Sequence, residues 1–350
     1  MLSNTDLAEL LAQQAEHETG ILSRAFRRAA RSAFLWSENA ADLVEQNRPL
    51  TELRGIGPFI AKQLLRWIDK PPQLSKRIPE IRRNFISIAE ARRQLAIKPG
   101  WSKKLRGDLQ MHTRWSDGSG TIGEMADAAR EHSYEYIAIT DHSKGLKIAG
   151  GIDEGALRKQ STEIVKLNSS ASQLGEKFTI LRSLELNLNV RGEGDMSSAS
   201  LSDLDLVLGS FHSSLRMIDD QTDRYLAALR NPNIQILGHP RGRIYNYRLG
   251  LKADWPRVFA EAARLGKALE IDCYPDRQDL SVDLLKVARQ HGVLISLGTD
   301  AHHPWQLAFI ELGLAAALRV KLPAQRIVNF MSAPDLKRWI QQLRDRSVRK

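Results

Sequence analysis

Gly107-Asp108-Leu109-Gln110-Met111-His112 opens the pattern that decides how this chain folds. A run of strand length ends on a histidine, and Ser116-Asp117-Gly118 follows within a few residues. The placement recurs downstream. Thr140-Asp141-His142, Ser183-Leu184-Glu185, Ser210-Phe211-His212, Gly238-His239-Pro240 and Thr299-Asp300-Ala301-His302 each close, or nearly close, a short apolar run. One histidine after a strand carries no message, but its repetition around a whole domain implies imidazoles and carboxylates gathered at one place. The strand-like runs lie at 106–112, 135–141, 178–187, 205–211, 234–239, 268–274 and 293–299. Helical segments alternate with them near 121–132, 154–174, 221–230, 254–265 and 282–291, with more near 304–319 and 335–345. Such alternation predicts parallel strands with helical crossovers, as an open doubly wound sheet or a closed barrel. Polar residues at the C-terminal ends of seven strands favour the barrel, because that rim carries the chemistry of barrel enzymes.

Mixed histidine and carboxylate groups suit Zn2+ or Mn2+. Paired ions of this kind lower the pKa of a bound water toward ~7 and steady the oxygens of a displacement at phosphorus. Chance burial of satisfied histidines would have to recur in every one of these motifs. Phosphate would also need cations from the protein. Arg241 and Arg243 follow Gly238-His239-Pro240, and Arg277 lies in Tyr274-Pro275-Asp276-Arg277. A guanidinium fork matches two phosphate oxygens; the plainer alternative pairs each arginine with a neighbour such as Asp276 or Asp279.

Composition bounds the rest. With 350 residues, the chain is long enough for a small unit beside a barrel-sized one. No apolar stretch approaches the ~20 residues that span a bilayer, and the N-terminus lacks a secretory signal. A single cysteine, Cys273, excludes an internal disulfide and points to a reducing, cytoplasmic setting. The net charge of +10 is uneven: residues 1–104 hold 18 Lys and Arg against 11 Asp and Glu. A basic segment on a near-neutral domain fits an arm for a polyanion, although a merely solvated surface has the same composition.

Within that segment, residues 5–45 read as helices, with Arg24, Arg27, Arg28 and Arg31 crowded on one of them. Leu53-Arg54-Gly55-Ile56-Gly57-Pro58 then predicts a helix ending at Leu53, a tight hairpin, and a second helix from Pro58. Free N–H groups of Gly55 and Gly57 at a helix start can hold a phosphate oxygen, helped by the charges of Arg54 and Lys62. Any short αα turn with a glycine cap offers a blander explanation. Pro71-Pro72 breaks the chain, and 71–104 reads as a linker with one short helix, leaving 105–350 for the barrel.

These motifs carry two resemblances. Residues 5–70 (within an expected 1–70 unit) resemble the helix-hairpin-helix DNA-binding domain of family X DNA polymerases. From Gly107 to His303, the motifs around His112, Asp117, His142, Asp300 and His302 resemble those of the polymerase and histidinol phosphatase (PHP) family. The second likeness implies a distorted seven-stranded β/α barrel with two or three divalent ions, Zn2+ or Mn2+. It marks His112, Asp117, His142, Glu185, His212, His239, Asp300 and His302 as metal ligands. The family's first motif usually reads His-x-His, and this chain has Gln110 there, which implies two firmly held ions and a weaker third. About 35 residues stand where a polymerase would carry its palm and fingers, so nucleotide transfer is not expected. The resemblance implies instead a DNA-directed phosphoesterase: an exonuclease, a 3′-end-processing enzyme or an abasic-site nuclease of DNA repair. Two alternatives stand beside it: a small-molecule phosphatase of histidinol-phosphatase or nucleotide type, and a DNA-binding scaffold whose metal site decayed at Gln110.

Overall fold

The computed structural model describes residues 1–74 and 77–348. Helix α1 (Asn4–His17) starts at a capping box in which Ser3 and Asp6 satisfy each other's backbone N–H. It packs on α2 (Gly20–Ser32), burying Leu7, Leu11, Phe26 and Ala29 in a core that also takes in Phe85 and Tyr245. The arginines of α2 stay on its outer face. After α3 (Ala40–Glu45), only a 3-10 turn at Leu50–Glu52 precedes the hairpin, not the helix expected to end at Leu53. Pro49 and Gly55 bracket that stretch, leaving too few residues for a regular turn to propagate. Gly55 turns the chain with φ +75°, and α4 (Pro58–Asp69) begins with Pro58 in its first turn. A Cβ on Gly55 would sit 2.8 Å from Ser32 Oγ, so glycine is required there on both counts.

The segment expected to be a linker holds two helices, α5 (Ile88–Ile97) and α6 (Pro99–Ser102). Ile88, Ala91, Leu95 and Trp101 lie in the main barrel-side core, and Trp101 Nε1 donates to Leu314 O at 3.0 Å. The Gln278 carboxamide clasps both backbone groups of Ile86. From about residue 86 onward, this stretch is therefore part of the barrel's outer layer.

Seven parallel strands then alternate with helices: β1 (Gly107–Asp108), α7 (Ile122–Glu131), β2 (Tyr136–Ile139), α8 (Glu154–Gln173), β3 (Thr179–Asn187), α9 (Ser198–Ser202) and β4 (Leu206–Ser210). They continue with α10 (Thr222–Arg230), β5 (Ile236–Leu237), α11 (Trp255–Leu265), β6 (Ala268–Asp272), α12 (Val282–His291), β7 (Leu294–Gly298), α13 (Ile310–Arg319) and α14 (Ala333–Val348). Strand order follows the sequence, β1 to β7. The seam between β7 and β1 is bridged by Asp300 N to Gln110 O (3.1 Å) and His112 N to Ala301 O (2.8 Å), which closes the sheet into a barrel. Each strand falls within its expected run but is shorter, because the ends diverge into loops.

Period-two alternation explains where the site forms. Leu181, Leu206, Leu208, Ile236 and Ala268 share an apolar layer with Trp339, Ile340 and Leu343 of α14, which stops the lower end. Further along the same strand faces come Ser183 and Glu185, Ser210 and His212, Glu270 and Asp272. Polar groups therefore gather over a dry floor, at the C-terminal rim.

Candidate metal centre

Glu185, fully buried two residues before the end of β3, stands at the middle of the rim. Its Oε1 lies 2.6 Å from His239 Nε2 and 3.3 Å from His212 Nε2. Its Oε2 lies 2.9 Å from His142 Nδ1 and 3.6 Å from His112 Nε2. On one flank, Asp117 Oδ1 faces His142 Nε2 at 3.5 Å and His302 Nε2 at 3.4 Å. Asp300 completes the set, 2.9 Å from His112 Nε2. All eight residues expected as ligands thus meet in one cluster. Two subsets have ligand atoms close enough to share an ion: His112, Asp117, His142 and His302, and His142, Glu185 and His212.

The residues fit metal on a further observation. His112 Nδ1, His142 Nδ1, Glu185 Oε2 and His212 Nε2 are buried without a hydrogen bond. Buried polar atoms are nearly always satisfied, and donor atoms left without a partner around one carboxylate, whose Oε1 alone bonds to His239, are what a shared cation resolves. The outer partners aim the rings. His212 Nδ1 meets Asn187 Oδ1 at 3.1 Å and His302 Nδ1 meets Asp300 O at 2.7 Å, leaving Nε2 of each ring to face a carboxylate. His239 and Asp300 adopt φ values of 22° and 52°, a conformation that costs about 1–3 kcal/mol outside glycine and is held by the surrounding bonds.

Electrostatics point the same way. Burial opposes charge on His142, but Glu185 and Asp117 outweigh it and lift that ring to about 10. Burial likewise works against His302, yet Asp117 and Asp300 raise it to about 9. For Glu185, burial is overcome by His142, His212 and His239, which hold its carboxyl well below the usual range. His112 moves the other way, lowered by burial and by the neighbouring rings. Without metal, protons on His142 and His302 balance this anionic cluster.

Gln110 does not behave as a weak ligand. With its nitrogen turned toward Glu270, the carboxamide donates to both carboxylate oxygens at 2.6 and 2.7 Å. Gly298 permits this contact, since a Cβ there would sit 2.0 Å from Glu270 Oε1. Glu270 also accepts the His239 N–H at 2.7 Å, so it fixes the backbone of a candidate ligand. Glu270 and Asp272 are buried members of the rim that reading the motifs did not single out. Their signal was present, as two acids at alternate positions in Leu269-Glu270-Ile271-Asp272-Cys273. Burial, and then mutual repulsion among Glu270, Asp272 and Asp300, raises both carboxyls. Asp108 and Asp141 serve the scaffold: Asp108 binds Thr299 across the seam, and Asp141 holds Thr113 and Gln160 at 2.6–2.8 Å, bracing the loop that carries Asp117.

Of the three arginines expected to meet phosphate, Arg241 donates from Nε to Leu251 O at 3.3 Å and does not border the metal cavity, and the other two differ. Arg277 Nη1 pairs with Asp300 and lies 3.7 Å from Asp272 Oδ2, inside the cluster. Arg243 lines the same cavity of about 260 Å3, but its guanidinium stacks on Phe85 at 3.8 Å and donates to Arg83 O. Burial lowers it to about 10. Arg248, which the sequence reading passed over, also lines the cavity. The loop after His142 is tied down: Asp195 accepts from Ser143 Oγ and Gly145 N, and Lys144 pairs with Glu154.

The hairpin sits beside this rim. The Arg54 guanidinium lies 4.1 Å from the ring centre of Trp305, three residues beyond His302. Arg31 approaches Asp276, the neighbour of Arg277, at 3.9 Å. Gly57 faces open space, and the N–H groups of Gly55 and Gly57 find no hydrogen-bond acceptor among the described residues. Lys62 is exposed on α4.

Against known families, the profile described as "PHP domain" matches residues 108–299, more than half of the chain. The chain belongs to the PHP family. PHP phosphoesterases are metal-dependent hydrolases, and two groups of His and carboxylate side chains in this member could hold a metal ion. It is similar to the "DNA polymerase/3'-5' exonuclease PolX" of Bacillus subtilis, 34% identical over 240 residues, 68% of this chain and 41% of that protein. The chain thus spans less than half of that relative's length. It also resembles the "Probable phosphatase YcdX" of Escherichia coli, 27% identical over 227 residues, 63% of this chain and 89% of that one. Among solved structures, the zinc-, L-histidinol- and phosphate-bound histidinol phosphate phosphatase of Lactococcus lactis aligns with 62% of this PHP chain and 94% of its own, at 17% identity and a TM-score of 0.43. Among the described residues, no helix is long and apolar enough to cross a membrane.

Proposed function

We propose that this PHP protein hydrolyses phosphodiester or terminal phosphate groups of DNA. The observation that carries the proposal is the contact of the glycine hairpin with the rim: Arg54 on Trp305, beside His302, and Arg31 near Asp276, beside Arg277. A DNA backbone held by Gly55, Gly57, Arg54 and Lys62 lies within reach of the cluster. Similarity to the Bacillus relative supports the same substrate class. Asp117, His142 and His302 would hold one divalent ion, and Glu185, His212 and His239 a second, with His112 and Asp300 between them. Zn2+ and Mn2+ both suit these donors. Bound there, the ions supply a hydroxide-like water and charge for the phosphoryl oxygens. Arg277, inside the cluster, would meet a phosphate oxygen at the cost of its pairing with Asp300. Gln110, held by Glu270, leaves the middle position without its second ring.

A phosphatase acting on small molecules is the competing possibility, supported by the phosphatase name of the Escherichia coli relative. Charge reversal at the hairpin separates the two. In Arg54→Glu with Lys62→Glu, hydrolysis of DNA falls relative to that of p-nitrophenyl phosphate, and the dependence of DNA binding on salt becomes shallower. Equal rates on both substrates in wild type and variant would exclude a DNA-directed role for the hairpin.

A further inference from the structure

A cleft of about 700 Å3 separates the hairpin unit from the barrel rim, within the range of roughly 300–1,000 Å3 typical of small-ligand pockets. Leu22 and Phe59 line it from the helical side and Tyr274 and Pro275 from the barrel. Phe59 is 60% exposed and Leu22 42% exposed, both toward this space. Three guanidiniums, Arg28, Arg31 and Arg54, line the same space against one carboxylate, Asp276. Arg28 has no ion-pair partner among the described residues, and Arg31 reaches Asp276 only at 3.9 Å. The loop that walls the cleft is continuous with the metal centre, because Tyr274, Pro275 and Asp276 border the cleft while Arg277 borders the metal cavity.

An exposed ring beside three guanidiniums and a single carboxylate matches the two halves of a nucleotide. A base offers a face to Phe59, and its phosphates meet the arginines. A base within the duplex stack has both faces covered and a terminal pair has one, whereas an unpaired base offers its faces freely and can turn into the cleft. We propose that this cleft binds an unpaired nucleotide of the polynucleotide strand whose neighbouring phosphate enters the metal cavity. The proposal rests on the DNA-directed function above, and it adds that the substrate end is single-stranded.

Fluorescence anisotropy on the metal-loaded protein tests it, using duplexes of one sequence that are blunt or carry a short overhang at either end. Phosphorothioate terminal linkages slow hydrolysis during the measurement. Overhanging DNA binds about tenfold more tightly than blunt DNA, the scale of one base on one aromatic ring. Phe59→Ala erases that difference and Phe59→Trp retains it, with unchanged melting temperature showing that both variants fold. The same preference with an RNA overhang supports a base-and-phosphate site indifferent to the sugar. Salt-sensitive binding that is equal for blunt and overhanging ends overturns the cleft proposal while leaving DNA as substrate. Dimer formation that Phe59→Ala abolishes would also overturn it, by giving the cleft to a second copy of the chain. Binding of neither DNA removes the DNA-directed function itself.

Discussion

Replacing Glu185 by glutamine keeps the side chain's size and removes one buried negative charge. Four imidazole nitrogens lie between 2.6 and 3.6 Å from its two oxygens, and these rings belong to both candidate ion positions. A unit charge pair about 3 Å apart is worth roughly 5 kcal/mol at an effective dielectric near 20. If relaxation of the rings and entry of water recover about half of that, each ion loses some 3 kcal/mol, on the order of a hundredfold in affinity. The assay is metal content by mass spectrometry after dialysis, followed by Zn2+ and Mn2+ titration against a competing indicator. Circular dichroism establishes that the variant folds. Glu185→Gln should retain at most one ion per chain under conditions where wild type retains two. Wild-type metal content and affinity in the variant would refute a central bridging role for this carboxylate.

Three further outcomes follow from other parts of the site and scaffold. Gln110→Ala leaves the buried Glu270 carboxyl without its amide donor and should lower unfolding free energy by about 1–3 kcal/mol in urea denaturation; no change would mean that the two side chains are not bonded. Metal binding should release protons and strengthen as pH rises from 6 toward 9. Its ligands His142 and His302 are lifted to about 10 and about 9, so cations must displace protons there. Calorimetry in buffers of differing ionisation enthalpy reads that release, and its absence would show these rings already neutral. Lys267, far from the rim at the start of β6, is pushed by burial from 10.5 down to about 7. The unfolded chain therefore binds the extra proton between these values, so wild-type stability rises with pH across that window and is lowest at or below about 7. Lys267→Met removes the penalty, and denaturation should show stabilisation of a few kcal/mol at most at pH 7, fading toward pH 10.

The strands and their C-terminal ligands were legible because one periodicity did two jobs. Residues two apart share a face, so a histidine or acid after an inward apolar position had to reach the rim, as Leu208, Ser210 and His212 show. Glu270 and Asp272 follow the same rule but lie in a run without histidine, which hid them. Long-range pairings left no local mark. Nothing in Ile86-Ser87-Ile88 announces packing under the barrel helices, and nothing in Gly242-Arg243 announces a guanidinium stacked on Phe85. The partner of Gln110 is likewise 160 residues away in sequence, set by closure of the sheet. The hairpin's chemistry could be read from Gly55-Ile56-Gly57-Pro58, but its station against Trp305 is a tertiary fact.

Hydrolysis of end-labelled DNA by the metal-reconstituted chain, beside His142→Ala purified identically, is the most direct test of a DNA phosphoesterase built on this rim. The expected result is shortened strands or released phosphate with Zn2+ or Mn2+, none after chelation, and none from the variant. Cleavage that survives both chelation and loss of His142, or a metal-loaded protein inert on every single-stranded, nicked, abasic and 3′-phosphate DNA, would contradict it.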